Sequence, residues 1–173
     1  SIIFLLKRLN GLYNYKNHID SDDIINKSKD ISISIAFMLN EFRRIGLNNG
    51  KYNFNDEFFN PEEALRNSSE SIADLLSGLK MCIYRLYKVL DDYIKNILDE
   101  DEKDSGNEYR ALNNYVMKLR SAFDIIDNFL GYSKEYAKVI DIDKEFKYFI
   151  IKNVPLNISK LINENMLNEV KST

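Results

Sequence analysis

The chain has 173 residues, 45% apolar and 29% charged, with six Gly, two Pro and a formal charge of −3. That length supports one domain of ordinary size or two very small ones, and so little Gly and Pro excludes collagen-like, disordered and loop-dominated architectures. The negative balance gives no long-range attraction to a nucleic-acid backbone, and a single cysteine, Cys82, excludes an intrachain disulfide or a metal site built on several thiolates.

The apolar run Ile2–Leu6 falls far short of the roughly 20 residues that a membrane span needs. No basic-then-apolar leader with a small-residue cleavage site stands at the front. One lone thiol fits a reducing compartment, so the expected location is cytoplasmic. Asn and Ile each occur 21 times and Lys outnumbers Arg 17 to 7, a bias toward AT-rich codons expected of a low-GC bacterial genome. The first residue is Ser, inside an apolar run, which reads as a piece cut from a longer protein.

The first predicted helix covers Ile2 to about Tyr15, with Ile3, Leu6, Leu9 and Leu12 on one face. A second starts near Asp20-Ser21-Asp22, whose side-chain oxygens suit a helix N-terminus. Its face is Ile24, Ile31, Ile35, Met38, Phe42 and Ile45, and Gly46 to Gly50 stops it. Residues 51–59 are aromatic and read as irregular. Asn60-Pro61-Glu62-Glu63 is the best helix start in the chain, with Asn60 as the cap and Pro61 in the first turn. The stripe Ile72, Leu75, Leu79, Ile83, Leu86, Leu90, Tyr93 and Ile97 then predicts a helix reaching almost to Leu98. Asp99 to Gly106 reads as a charged loop. A fourth helix carries Tyr109, Leu112, Val116, Leu119, Phe123, Ile126 and Leu130, and Gly131 is its expected left-handed C-terminal residue. Alternating three-and-four spacing in both long stripes favours antiparallel packing at a shallow angle.

Beyond Gly131 the residues become β-rich. Glu135–Asp141 and Phe146–Ile151 predict a hairpin turning at Asp143-Lys144, and Pro155 ends the extended stretch. A last helix is expected from Asn157 to about Glu169, with Leu161, Ile162, Met166 and Val170 on one face. The fold class is therefore mainly α: an antiparallel long-helix hairpin or bundle, a small β-hairpin and a C-terminal helix. Residues 1–131 form the helical part, expected to fold as its own unit, and residues 132–173 the hairpin and last helix. The segment from Phe146 onward is expected to be the more loosely packed, exposing Phe149, Ile151, Leu161 and Met166.

Few residues point to chemistry. No phosphate-binding Gly-x-x-x-x-Gly-Lys loop and no Gly-x-Gly-x-x-Gly is present. His18 is the only histidine, so triads and histidine metal clusters lack their usual member. Cys82 sits beside an apolar stripe and reads as a buried structural thiol. The acidic run Asp99–Glu102 lacks the central Gly and closing Glu of a calcium loop. Catalytic, cofactor-binding and metal residues are therefore all assigned as none. The basic residues are more informative. Lys80, Tyr84, Arg85, Tyr87 and Lys88 interleave cations with aromatics, a mixture that can hold single-stranded DNA. An ordinary solvated helix face, with Lys88 and Asp92 paired one turn apart, explains the same residues. The nucleic-acid-binding candidates are Arg85, Lys88, Lys118 and Arg120.

The most specific signal lies at the end of the chain. Glu135-Tyr136-Ala137-Lys138-Val139-Ile140 leads to Asn153-Val154-Pro155-Leu156-Asn157-Ile158-Ser159-Lys160-Leu161-Ile162, and the chain closes on Val170-Lys171-Ser172-Thr173. This resembles the region just before the third helicase motif in the DinG and XPD family of superfamily 2 DNA helicases. There a strand ends in Pro-Leu-x-(Ile/Val)-(Ser/Gly)-x-x-Leu, matched here by Pro155, Leu156, Ile158, Ser159 and Leu161. The match covers about the last 40 residues, and the upstream helices are compatible with the helical arch that the family inserts before that motif. With Cys82 alone, the chain is similar to the cluster-free bacterial branch, without an iron–sulfur cluster. Some members of that branch resemble fused helicase–exonucleases.

The resemblance implies an arch fragment, itself without catalysis, that helps to form the channel guiding single-stranded or forked DNA. It implies a parent helicase that binds ATP and magnesium and hydrolyses ATP, with the rest of that motor as a partner and no membrane. Residues 132–173 would then belong to the edge of the motor domain. The alternative is a free-standing helical protein-interaction module.

Overall fold

The computed structural model describes residues 20–47, 50–53, 63–96, 106–131 and 135–156, with the side chains of 51–53, 63–71, 96 and 108 outside the description. The predicted first helix, His18, the Asn60-Pro61 helix start, the acidic run Asp99–Glu102 and everything from Asn157 onward lie outside the described residues. The elements run α1 (Ser21–Arg44), β1 (Gly50–Asn53), α2 (Glu63–Asn96), α3 (Asn107–Leu130), β2 (Tyr136–Ile142) and β3 (Phe149–Pro155). The fold is mainly α with a small antiparallel β-hairpin, as the periodicity predicts.

Both ends of α1 follow from local chemistry. Asp20 Oδ1 accepts the backbone N–H of Asp22 at 2.9 Å and of Asp23 at 3.4 Å, satisfying two of the free first-turn amides. At the other end Gly46 adopts φ +78°, its N–H donates to the Arg43 carbonyl, and the Leu47 N–H donates to that of Phe42. This paired closure needs a left-handed residue, which glycine supplies without steric cost.

α2 and α3 form the long antiparallel hairpin. Lys80 pairs with Asp127 and Tyr84 meets Phe123, while Leu86 and Leu90 pack with Leu112 and Val116, so α2 ascends as α3 descends. The buried positions of α2 are Ile72, Leu76, Leu79, Ile83, Leu86, Leu90, Tyr93 and Ile94. Leu76 takes the fully buried place that the spacing gives to Leu75, which packs half-buried beside it. On α3, Leu112, Val116, Ile126 and Phe129 are buried.

The hairpin is extended by a third strand. Gly50–Asn53, read as irregular, pairs antiparallel with β2, Gly50 opposite Ile142 and Asn53 opposite Val139, giving the order β1-β2-β3. Four residues are too short for an alternation pattern to show, so pairing decides the conformation rather than propensity. The second hairpin strand starts at Phe149, three residues later than its β-rich composition predicts. The Asp143 carboxylate accepts the N–H groups of Glu145 and Lys147, and its carbonyl accepts that of Phe146, which sits at φ +53°. Such an aspartate-centred turn absorbs residues that would otherwise extend the strand.

One face of the sheet closes over the helices. Ile140 and Ile142 join Met38, Phe42, Ile72, Leu76, Ile126 and Phe129 in a single apolar cluster, with Phe149 and Ile151 half-buried against it. The exposed apolar residues of β3 are instead Ile150 and Val154, with Leu156 just beyond it. This reverses the expectation for Phe149 and Ile151: in a strand, alternate residues face opposite sides, and pairing opposite the buried Ile142 and Ile140 puts the odd-numbered residues of β3 inward.

Gly131 ends α3 in an extended conformation (φ −69°, ψ 153°), not in the left-handed one expected of it. Its carbonyl accepts a hydrogen bond from Lys138 Nζ. Lys138 is 1% exposed, and its ammonium therefore meets the negative end of α3. Burial pushes the Lys138 pKa below the ordinary lysine value.

Two predictions follow from this packing. Phe42→Ala should lower unfolding free energy by about 3–5 kcal/mol in denaturant titration, because it removes a fully buried ring and leaves a cavity among its neighbours. Lys138 binds its proton less tightly folded than unfolded, so its burial penalty is fully present below the folded pKa. The penalty fades as pH rises from there toward the unfolded value. Lys138→Met should therefore show its most favourable stability relative to the parent at pH 7, and that difference should fall at pH 10. A difference independent of pH would contradict the assignment.

Candidate nucleic-acid interface

All four candidate cations, Arg85, Lys88, Lys118 and Arg120, lie on the long hairpin and are exposed. Arg85 and Lys88 are three residues apart on α2, which makes them neighbours on one face. Lys118 and Arg120 are two apart on α3, about 200° around the helix, so they leave on opposite flanks. The structure does not bring the four together. Lys118 borders a shallow groove on α3 with Asn114, Met117, Ser121, Ala122 and Ile125.

Their electrostatic states also differ. Lys88 Nζ donates to Asp92 Oδ1 at 2.8 Å, the i,i+4 pair expected of a solvated face, and this hydrogen bond holds the ammonium above the ordinary lysine value. Arg85, Lys118 and Arg120 make no ion pair among the described residues.

Sequence reasoning placed the cations but not the aromatic geometry. Tyr84 is 38% exposed and leans on two half-buried rings, Phe123 at 5.7 Å between centroids and Tyr87 at 6.3 Å. Phe123 and Tyr87 in turn pack against the two core clusters. Lys80 lies 5.6 Å above the Phe123 ring and pairs with Asp127 Oδ1 at 2.8 Å, tying α2 to α3 at this level. Phe123 belongs to a different predicted helix, so no spacing within α2 reveals this shelf.

Met81, Tyr84, Arg85 and Lys88 occupy positions i, i+3, i+4 and i+7 of α2, all outward. They form a second stripe, turned away from the buried one. Met81 is 44% exposed beside Tyr84. Asp92, one turn beyond Lys88, is the carboxylate at the end of this stripe.

Cys82 is half-buried rather than fully enclosed. No group of three or more metal-ligating side chains occurs among the described residues. Nor does any described helix have the length and apolarity to cross a membrane. The chain matches no protein-family model, no curated protein and no solved structure.

Proposed function

We propose that this chain is an arch-like insertion of a DinG-like DNA helicase, contributing one wall of the channel that guides single-stranded DNA. The observation that carries the reading is the end of β3. Pro155 closes that strand, and the Leu156 N–H turns back to the Glu135 carbonyl at 2.8 Å. The Pro-Leu pair thus stands at the end of a strand, the position that the family pattern requires. The long α2–α3 hairpin is the kind of projecting element such an insertion uses. In this reading ATP and magnesium belong to the parent motor, and the fragment contributes contacts with the strand alone.

A second reading, a helical protein-interaction module, is favoured by one feature of α1. Ile33 and Phe37, one turn apart on the side away from the core, are 53% and 60% exposed.

The two readings separate on DNA. With a net charge of −3, the arch can offer only a local cluster of about two to four phosphate contacts, giving a log–log salt slope of about −1.5 to −3 on single strands. Replacing Arg85 and Lys88 together by Ala should flatten that slope by about one unit or more. A chain that ignores oligo(dT) even at low salt would overturn the arch reading in favour of the interaction module. ATP turnover by the purified chain would contradict its assignment as a non-catalytic piece.

A further inference from the structure

We propose that the outward stripe of α2 is a stacking subsite for single-stranded DNA: one unpaired base lies on the Tyr84 ring, with Met81 beside it, and adjacent phosphates meet Arg85 and Lys88. The ligand class rests on the arch reading above; the subsite goes beyond it by assigning a base-contacting residue.

Three observations support the assignment. The Tyr84 ring is exposed yet braced from behind by Phe123 and Tyr87, so little rotamer freedom remains to be lost when a base stacks on it. Met81 widens the apolar surface along the same stripe, and a thioether is polarizable enough to sit against an aromatic ring. Arg85, the next residue in the chain, is a cation with no ion pair among the described residues. Lys88 is one turn beyond Tyr84, and a phosphate must compete there with Asp92. Arg85 therefore supplies the stronger phosphate contact and Lys88 the weaker one. The groove along α3 beside Lys118 has one cation and no aromatic ring, so it offers nothing on which a base could stack.

Stacking on an aromatic side chain is tolerant of base identity but needs a base to be present. The test uses the 173-residue chain at low salt with two probes of equal length, oligo(dT) and a fully abasic strand. Tyr84→Ala should weaken oligo(dT) binding about 5- to 100-fold and leave the abasic strand nearly unaffected. Tyr84→Phe should keep the affinity, and a parent-like circular dichroism spectrum confirms that each variant folds. Equal binding of oligo(dT) by Tyr84→Ala and the parent, with Arg85→Ala still weakened, would overturn the subsite and leave the arch reading standing. Equal loss on both probes would also overturn stacking, since the ring would then act through packing. A parent chain that binds neither probe overturns both proposals together.

Discussion

The architecture depends on the end of α1 being locked against the sheet. Phe42 has no exposed surface and sits where α1, α2, α3 and the sheet share one apolar cluster. Its ring meets Phe149 of β3 edge-on, 5.4 Å between centroids and 85° between planes, an arrangement that aligns the positive ring edge with a negative face. On the next residue, the Arg43 guanidinium lies 4.8 Å over Phe146 and reaches the Glu145 carbonyl in the hairpin turn. β1, beginning at Gly50, pairs with β2 along the sheet's edge. The end of α1 thus packs against both the inner face of the sheet and its hairpin turn.

A second anchor acts from α3. Lys138 caps the end of that helix from inside the sheet, and Asn153 of β3 donates to the Ile125 carbonyl at 3.2 Å. Residues on both sides of Gly131 therefore contribute to one apolar cluster and to the contacts around it. Elsewhere charge is balanced over short distances. Lys27–Asp23, Arg44–Glu41, Lys88–Asp92 and Lys95–Asp91 all join residues three or four apart on one helix. Such exposed pairs are screened by solvent and project little field. Among the described residues, the candidate cations outside these pairs are dispersed: Arg85 lies on α2, and Lys118 and Arg120 on opposite flanks of α3.

The described helices were legible in the sequence because each has a long apolar period, and α1 also carries chemical signals at both ends. Ile24, Met38 and Phe42 mark one face of α1, and Asp20 and Gly46 mark its ends. The sheet was legible only in part. Tyr136–Ile142 alternates clearly, but Gly50–Asn53 is a strand only because β2 is present to pair with it. The start of β3 was misplaced because Phe146-Lys147-Tyr148 has β-rich composition while Asp143 draws those residues into a turn. Gly131 ends α3 where the sequence places the stop, but in an extended rather than a left-handed conformation. A glycine after a helix usually marks a left-handed cap, yet here the cap comes from Lys138, seven residues away. The candidate site shows the same division. Arg85 and Lys88 could be read as neighbours from their spacing, whereas the Tyr84–Phe123 contact joins two helices and required their packing.

This division also separates the buried face of α2 from the outward stripe proposed above as a binding face. Its buried stripe, from Ile72 to Ile94, supplies the core, and its outward stripe from Met81 to Lys88 makes no contribution to that enclosed surface. Tyr84 links the two through Phe123 and Tyr87, since the rings that brace it are themselves packed against the core. The stripe lies on the solvent side of the same stretch of α2 whose Leu79 and Ile83 join the sheet-facing cluster. Rigidity matters because a flexible aromatic would lose ordering entropy whenever a ligand settled on it. The core that holds α2 against α3 is therefore also what presents Tyr84 as a fixed surface.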